Sequence, residues 1–345
     1  MHGTIPNPQT RHAAPAGDRP EATPLLAAIV IGRNEGRRLV DCLSSIQSNH
    51  IHLVYVDSDS HDGSPLVAEK LNAQVIHLDM TEPFTAARAR NAGCRAALAS
   101  CPEVEFIQFV DGDCALDPEW IEKAAAFMQA RPDVAIVFGR RRERFPERSV
   151  YNAMCDREWS GSPGPARECG GDIFVRVAAL QDAGLYNSAL IAGEEPELCV
   201  RLREKGWSVW RLDAEMTLHD ADITTFGQWW RRTKRAGYAF ASVATLHWSS
   251  PEAIWKRSLM RTIGWGAALP LAIVGASFLH PAALALFGLY PLQIARLARR
   301  EGWNRLGSWQ YAFFDMLGKV AEFHGAMKFF VNRLLRRSQR IIEYK

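Results

Sequence analysis

The strongest constraint on this chain is how its apolar runs end. Leu25–Ile31, Leu53–Val56 and Phe106–Val110 are short and rich in β-branched or aromatic residues, and they stop at "GRNEG", "DSDSHDGS" and "DGDCALDPEW". Stretches of helical character lie between and after them, at about 35–48, 65–71, 84–99 and 118–130, with further short strands at 75–77 and 134–138. Strands that are apolar throughout are buried on both faces. Their alternation with helices predicts an α/β fold with a mostly parallel sheet and helices on both faces. In such sheets ligands sit beyond the carboxyl ends of the strands. Asn34, Glu35, Asp57, Asp59, Asp111 and Asp113 are therefore expected to converge on one site.

The turn after the first strand lacks GxGxxG, and no GxxxxGK[ST] occurs, which lowers the prospect of a dehydrogenase or a P-loop NTPase. A diphosphate would need another cradle, and a carboxylate-held metal would serve. Asp111 and Asp113, two residues apart, would point to one side if the strand continued, with Gly112 allowing a ligand close to the backbone. One carboxylate could meet a ribose hydroxyl. The other could hold a divalent cation, Mg2+ or Mn2+, bridging two phosphates. A plain turn accounts for the same residues. Asp59 and Asp62 equally suit loop and helix-cap positions. Arg90, in "ARARNAG", would pair with phosphate or hold an aspartate, or lie exposed. Gly170 and Gly171 permit positive φ and close approach of a substrate. Glu194, Glu195 and Glu197 open a helix, where acids also compensate the dipole.

The order of these pieces resembles the family 2 inverting glycosyltransferases of GT-A fold. "IVIGRNEG", "VDSDSHDGS", "ARARNAG", "FVDGDCALDPEW", "GGDIFVR", "AGLYN" and "GEEPELCVRLREKGW" follow the family's order over roughly residues 25–215. The resemblance implies transfer of a sugar from a nucleotide-diphosphate donor to an acceptor hydroxyl, with inversion. It places Asp57 at the base, Arg90 near the diphosphate, Asp111 on the nucleotide and Asp113 on the metal. Gly170, Gly171 and Asp172 fall in the acceptor-side loop. The acid pair matches Glu194–Glu195, with the second member as general base, here Glu where the family more often has Asp. "DSD" is a second departure. Similar enzymes place a further metal ligand near His219.

The remaining sequence bears on location. Lys256 to Lys345 holds 14 basic and 4 acidic residues, whereas residues 1–255 hold 27 and 34. A basic tail suits an anionic partner. Ile263–Ala295 contains no Asp, Glu, Lys or Arg, and as one helix it would be about 50 Å long, too long for one upright span of a bilayer core. A break at His280–Pro281 would make an apolar hairpin over 263–295, with basic residues on both flanks placing both ends in the cytosol. A buried helical pair in a soluble domain is the other reading. Residues 313–337 read as a basic amphipathic helix at a membrane surface, and no nucleic-acid motif accompanies that charge. "GQWWRRTKRAGYAF" slightly resembles the QxxRW element of membrane polysaccharide synthases, although Arg232 replaces its tryptophan. Trp229 and Trp230 are expected to shape the acceptor site. Seven scattered cysteines without a CxxC pair argue against a disulfide framework or a zinc site.

The expected organisation is a disordered leader over 1–24, a GT-A domain over 25–245 and a helical membrane-associated region over 246–345. The expected activity is an inverting, metal-dependent glycosyltransferase on the cytoplasmic face of the inner membrane. It would use a nucleotide-diphosphate sugar, with UDP-sugars favoured, and act on a lipid-linked or glycan acceptor in cell-surface polysaccharide or glycolipid synthesis, with membrane lipids as further partners. A nucleotidyltransferase of similar fold and a non-catalytic membrane scaffold are the alternatives.

Overall fold

A computed structural model describes residues 26–46, 50–337 and 342–343. The expected leader lies outside them. The first half runs β1 (Leu26–Gly32), α1 (Arg37–Ile46), β2 (Ile51–Asp57), α2 (Ser64–Lys70), β3 (Gln74–His77), α3 (Ala86–Ser100), β4 (Phe106–Asp111), β5 (Cys114–Leu116), α4 (Trp120–Ala130) and β6 (Val134–Glu143). There follow α5 (Val150–Glu158), β7 (Gly164–Pro165), β8 (Ile173–Arg176), α6 (Val177–Asp182), α7 (Glu194–Glu204) and β9 (Ser208–His219). The strands form one sheet in the order β3-β2-β1-β4-β8-β6-β9-β5, with β7 beside β9. β3, β2, β1 and β4 are mutually parallel; β8 runs antiparallel to both its neighbours; β6 and β9 are parallel.

Period-two alternation splits the core into two layers. Ile29 and Val56 face α3 and α7, whereas Ala28, Val30 and Tyr55 face α1 and α4. Each fully buried Ile or Leu of these layers contributes about 1.5–3 kcal/mol of transfer energy. Thr85 caps α3 by accepting from the Arg88 backbone N–H. Gly93 lets α3 lie directly on Ile29 and Val56, where any Cβ would collide. That contact explains the glycine of "NAG" and fixes the height of Arg90 above the sheet.

The second half is helical: α8 (Phe226–Leu246), α9 (Lys256–Ile263), a π-turn at Gly264–Ala268, α10 (Leu269–Ser277), a 3-10 segment at Pro281–Gly288, α11 (Leu289–Gly302) and α12 (Leu306–Leu334). Two continuous rods result, Lys256–Ser277 and Pro281–Gly302, each 22 residues long and apolar enough to cross a membrane. Each is roughly 33 Å long, which matches a hydrocarbon core. They meet at the expected break, where His280 accepts from the Ala282 backbone N–H. Phe278 and Leu279 stand exposed there.

α12 differs from its expected character. It begins seven residues earlier than residue 313 and is no free interfacial helix. Gly325 lies against the Lys234 carbonyl and Gly237 against the Glu322 backbone, so α8 and α12 cross in close backbone contact. Ala312, Met316, Ala321, Ala326 and Phe329 are buried along α12.

Candidate active site

Three groups of side chains gather at the carboxyl end of the sheet. The first surrounds Arg90. Its Nη1 lies 2.9 Å from Glu194 Oε1 and 2.6 Å from Glu195 Oε1, and its Nη2 donates to Asp111 Oδ1 at 2.9 Å. Of the pairings open to an arginine in this position, the structure shows the one in which it holds carboxylates, and Arg90 is only 2% exposed. Arg141 approaches the other Asp111 oxygen at 3.4 Å and Asp172 at 3.5 Å. Asp172 accepts from the Asp111 backbone N–H at 2.9 Å and from the Thr217 hydroxyl at 2.8 Å. Four carboxylates thus share two guanidiniums.

That imbalance sets the electrostatics. Burial, reinforced by Glu194 and only partly opposed by Arg90, pushes the Glu195 carboxyl up to about 8. Burial also raises Asp111, but Arg90 and Arg141 more than offset it and hold that carboxyl below its ordinary range. The pair therefore divides into a proton-binding acid and a persistent anion.

The second group is centred on Asp113. β4 ends at Asp111 and β5 begins at Cys114, so Gly112–Asp113 is a turn rather than a continuing strand. The two aspartates consequently diverge: Asp111 faces Arg90, whereas Asp113 Oδ2 lies 3.3 Å from His219 Nε2. The Cys114–His219 pairing of β5 and β9 brings the histidine there. Glu143 Oε2 lies 3.4 Å from the other ring nitrogen, and the Trp159 ring meets the imidazole edge-on with centroids 4.7 Å apart. Asp113, Cys114 and His219 place ligand atoms within 4.8 Å of one another. Burial pushes the Cys114 thiol well up, so it stays protonated and the carboxylate and imidazole are the better donors. A carboxylate with an imidazole suits Mn2+ better than Mg2+, and two protein ligands leave positions for phosphate oxygens.

The third group closes the ends of β1 and β2. Asn34 and Asp59 occupy the left-handed region, at φ 56° and 69°, which Asn and Asp tolerate better than other side chains do. Asn34 accepts from the His61 N–H and donates its own N–H to Ser60 Oγ, bracing the two loops together. Asp57 is buried and accepts from Tyr55 Oη and from the backbone N–H of Asp59 and Ser60. Glu35 pairs with Arg38 at 2.9 Å. Asp62 accepts from the backbone N–H of Ser64 and Gly36, the loop role that its residue type suggested.

Several expectations need correction. Neither Gly170 nor Gly171 has positive φ. Gly171 is required by space, since a Cβ there would come within 2.6 Å of Arg90 Nη2 and 2.9 Å of Asp111 Oδ2. Nothing crowds Gly170. At Gly112 a Cβ would crowd Ile31 O and Glu35 at 3.1 Å, so packing of the turn also calls for a glycine there. Asp172 is buried beside Asp111, with its oxygens taken by the Asp111 backbone N–H and the Thr217 hydroxyl. Trp229 is buried among Tyr151, Ile223 and Phe314, and with the half-buried Trp230 it joins the helices to the sheet domain, so Trp229 itself has no open face for an acceptor. Arg141 and Glu143 were missed because "GRRRERF" looks like a solvated basic run. β6 continues through it, and alternate residues turn inward.

Fold and site together set an acid cluster beside a carboxylate–imidazole pair that could hold a metal ion, at the carboxyl end of a mostly parallel sheet. Residues 27–176 match the model of glycosyl transferase family 2, and that match supports sugar transfer as the class of activity. The mannosyltransferase PcManGT from Pyrobaculum calidifontis, solved with GDP-Man and Mn2+, is similar at a TM-score of 0.65 and 16% identity, over 94% of this chain and 92% of that one. TarS 1-349 from S. aureus is similar at a TM-score of 0.51 and 16% identity, over 89% and 91%. At such identity the likeness is one of fold, the GT-A type. No curated protein sequence matches the chain.

Proposed function

We propose that this protein is an inverting, metal-dependent glycosyltransferase, anchored by its helices at the cytoplasmic face of a membrane. The observation that carries the reading is the Arg90 cluster, which sets Glu194, Glu195 and Asp111 beside the Asp113–His219 pair. Inversion needs one in-line displacement, with a base on the acceptor hydroxyl and charge stabilisation on the leaving diphosphate. Glu195, or its neighbour Glu194, receives the acceptor proton. A proton affinity near 8 matches a base working around neutral pH. Arg90 fixes the orientation of both glutamates. Asp113 and His219 would hold a divalent cation, which supplies charge neutralisation for the diphosphate when bound.

The donor is a nucleoside-diphosphate sugar. UDP forms are the expectation from the sequence, and GDP forms enter because the P. calidifontis neighbour was solved with GDP-Man. The rods Lys256–Ser277 and Pro281–Gly302 are mostly unburied, and apolar surface of that extent suits a membrane contact. Lys256, Arg257 and Arg261 lie in the first turns of one rod and Arg296, Arg299 and Arg300 in the last turns of the other, which favours both ends on one, cytoplasmic, side. A catalytic domain held beside the bilayer suits a lipid-linked acceptor. Transfer from an α-linked donor, with the product anomer read by NMR, tests the chemistry. A β-linked product is expected, and an α-linked product contradicts the inverting mechanism.

A further inference from the structure

β6 has two faces with different work. Arg141 and Glu143 turn towards Asp111 and His219, whereas Arg140 and Arg142 turn the other way. On that second side lies an open cleft of about 390 Å3, lined by Lys123, Arg140, Arg142, Arg211 and the loop residues Gly161 and Pro163, with Asp213 and Glu215 as its acids.

The cations are unequally matched. Arg142 is taken by Glu215 in a bidentate pair at 2.6 Å. Arg140 reaches Asp156 at 3.3 Å and the Ser160 hydroxyl at 2.7 Å, but its buried Nε has no partner among the described residues. Arg211 donates to the Trp159 carbonyl at 2.9 Å and has no carboxylate within ion-pair distance among the described residues. Burial and the nearby Arg140 both act against its charge. Lys123 is paired with Glu119 at 2.6 Å, which leaves Arg140 and Arg211 as neighbouring guanidiniums, one with an unpartnered Nε and one without a carboxylate, and together they make a fork for an oxyanion. Gly161 lets the loop lie against Arg211, since a Cβ there would come within 2.5 Å of Nη1 and push the guanidinium aside.

We propose that this cleft is a binding site for an oxyanion of the phosphate class, separate from the donor site. Trp159 stands between the two: its carbonyl is held by Arg211, while its ring packs on His219 and under the Arg141 guanidinium. An anion on Arg140 and Arg211 would thus have Trp159 between it and His219. The anion is either free phosphate or a phosphate borne by the acceptor.

The test is calorimetric titration of the detergent-solubilised full chain with inorganic phosphate in EDTA, so that no metal recruits phosphate to the donor site. Saturable binding of one phosphate per chain is expected. Arg211→Gln and Arg140→Gln should each weaken it by about tenfold or more, and Arg211→Lys should retain most of it. Lys123→Gln, on an exposed helix position, should weaken it by a smaller factor and guards against misfolding of the arginine variants. Absence of saturable binding, or unchanged affinity in both glutamine variants, overturns the proposal. The readout needs no sugar transfer, so it stands apart from the catalytic reading. Phosphate that competes with the lipid acceptor in a transfer assay assigns the anion to the acceptor, and phosphate that binds without competing assigns it to the free ion.

Discussion

Arg90 and Glu195 lie far apart in sequence, yet Nη1 of the one is 2.6 Å from Oε1 of the other inside the protein. The same guanidinium holds Glu194 and Asp111. One residue on α3 therefore sets the relative positions of the strand-end aspartate and the helix-start acid pair.

Removing that cation leaves three carboxylates without their main partner in a buried site. Arg90→Ala is expected to cost about 3–5 kcal/mol of stability. Arg90→Lys keeps the charge but lacks the planar fork that reaches Glu194, Glu195 and Asp111 at once, so it should retain more stability than activity. Chemical denaturation alongside a transfer assay separates the two effects.

Glu195 should give the enzyme its pH dependence. With its carboxyl raised to about 8, the residue is neutral in the free protein below that pH and accepts the acceptor proton only once ionised. Activity should therefore rise across this range, and Glu195→Gln should abolish the limb and lower turnover by about 10²–10⁴-fold. The same shift affects folding. A carboxyl raised in the folded state favours folding below the ordinary carboxylate range, and that contribution is lost as pH climbs through about 8. Thermal midpoints at pH 6 and pH 9 should accordingly differ less for Glu195→Gln than for the wild type.

Glu143 is expected to act through His219. It fixes the ring so that Nε2 faces Asp113, and such carboxylate–histidine pairs typically change metal affinity by about 10–100-fold when broken. Mn2+ binding followed by electron paramagnetic resonance should weaken in Glu143→Gln and more so in Asp113→Asn and His219→Ala. EDTA should abolish transfer, and added Mn2+ should restore it.

The helical half is predicted to hold the protein in membranes. Carbonate-washed membranes should retain the full chain, and a variant lacking residues 264–295 should leave the pellet. Release of the full chain by carbonate would contradict the anchoring. Gly325→Leu, which wedges α12 from α8 at the Lys234 carbonyl, should loosen the helices from each other without altering the sheet.

What could be read from the sequence follows from what local pattern encodes. β1, β2 and β4 are buried on both faces and therefore apolar throughout, so their ends and the polar residues on them were legible. The acid pair at α7 and Arg90 were found by their place in an ordered set of motifs, since each alone also fits a helix surface. The pairing of Cys114 with His219 depends on a long-range register that no window reveals. Arg141 and Glu143 were hidden by charge, because a charged strand segment looks like solvent-facing chain until its period of two is set against a buried site. The glycines of α12 carried a signal of close helix contact that its aromatic and basic residues masked.

The central claim is that Glu195 and Asp113 do the chemistry of sugar transfer. It is tested by transfer of radiolabelled sugar from UDP- and GDP-sugars to a membrane lipid extract, with Mn2+ present, by the wild type, Glu195→Gln and Asp113→Asn. The wild type should label a lipid product, and both variants should lose that transfer while remaining folded. Wild-type turnover in both variants would contradict the account.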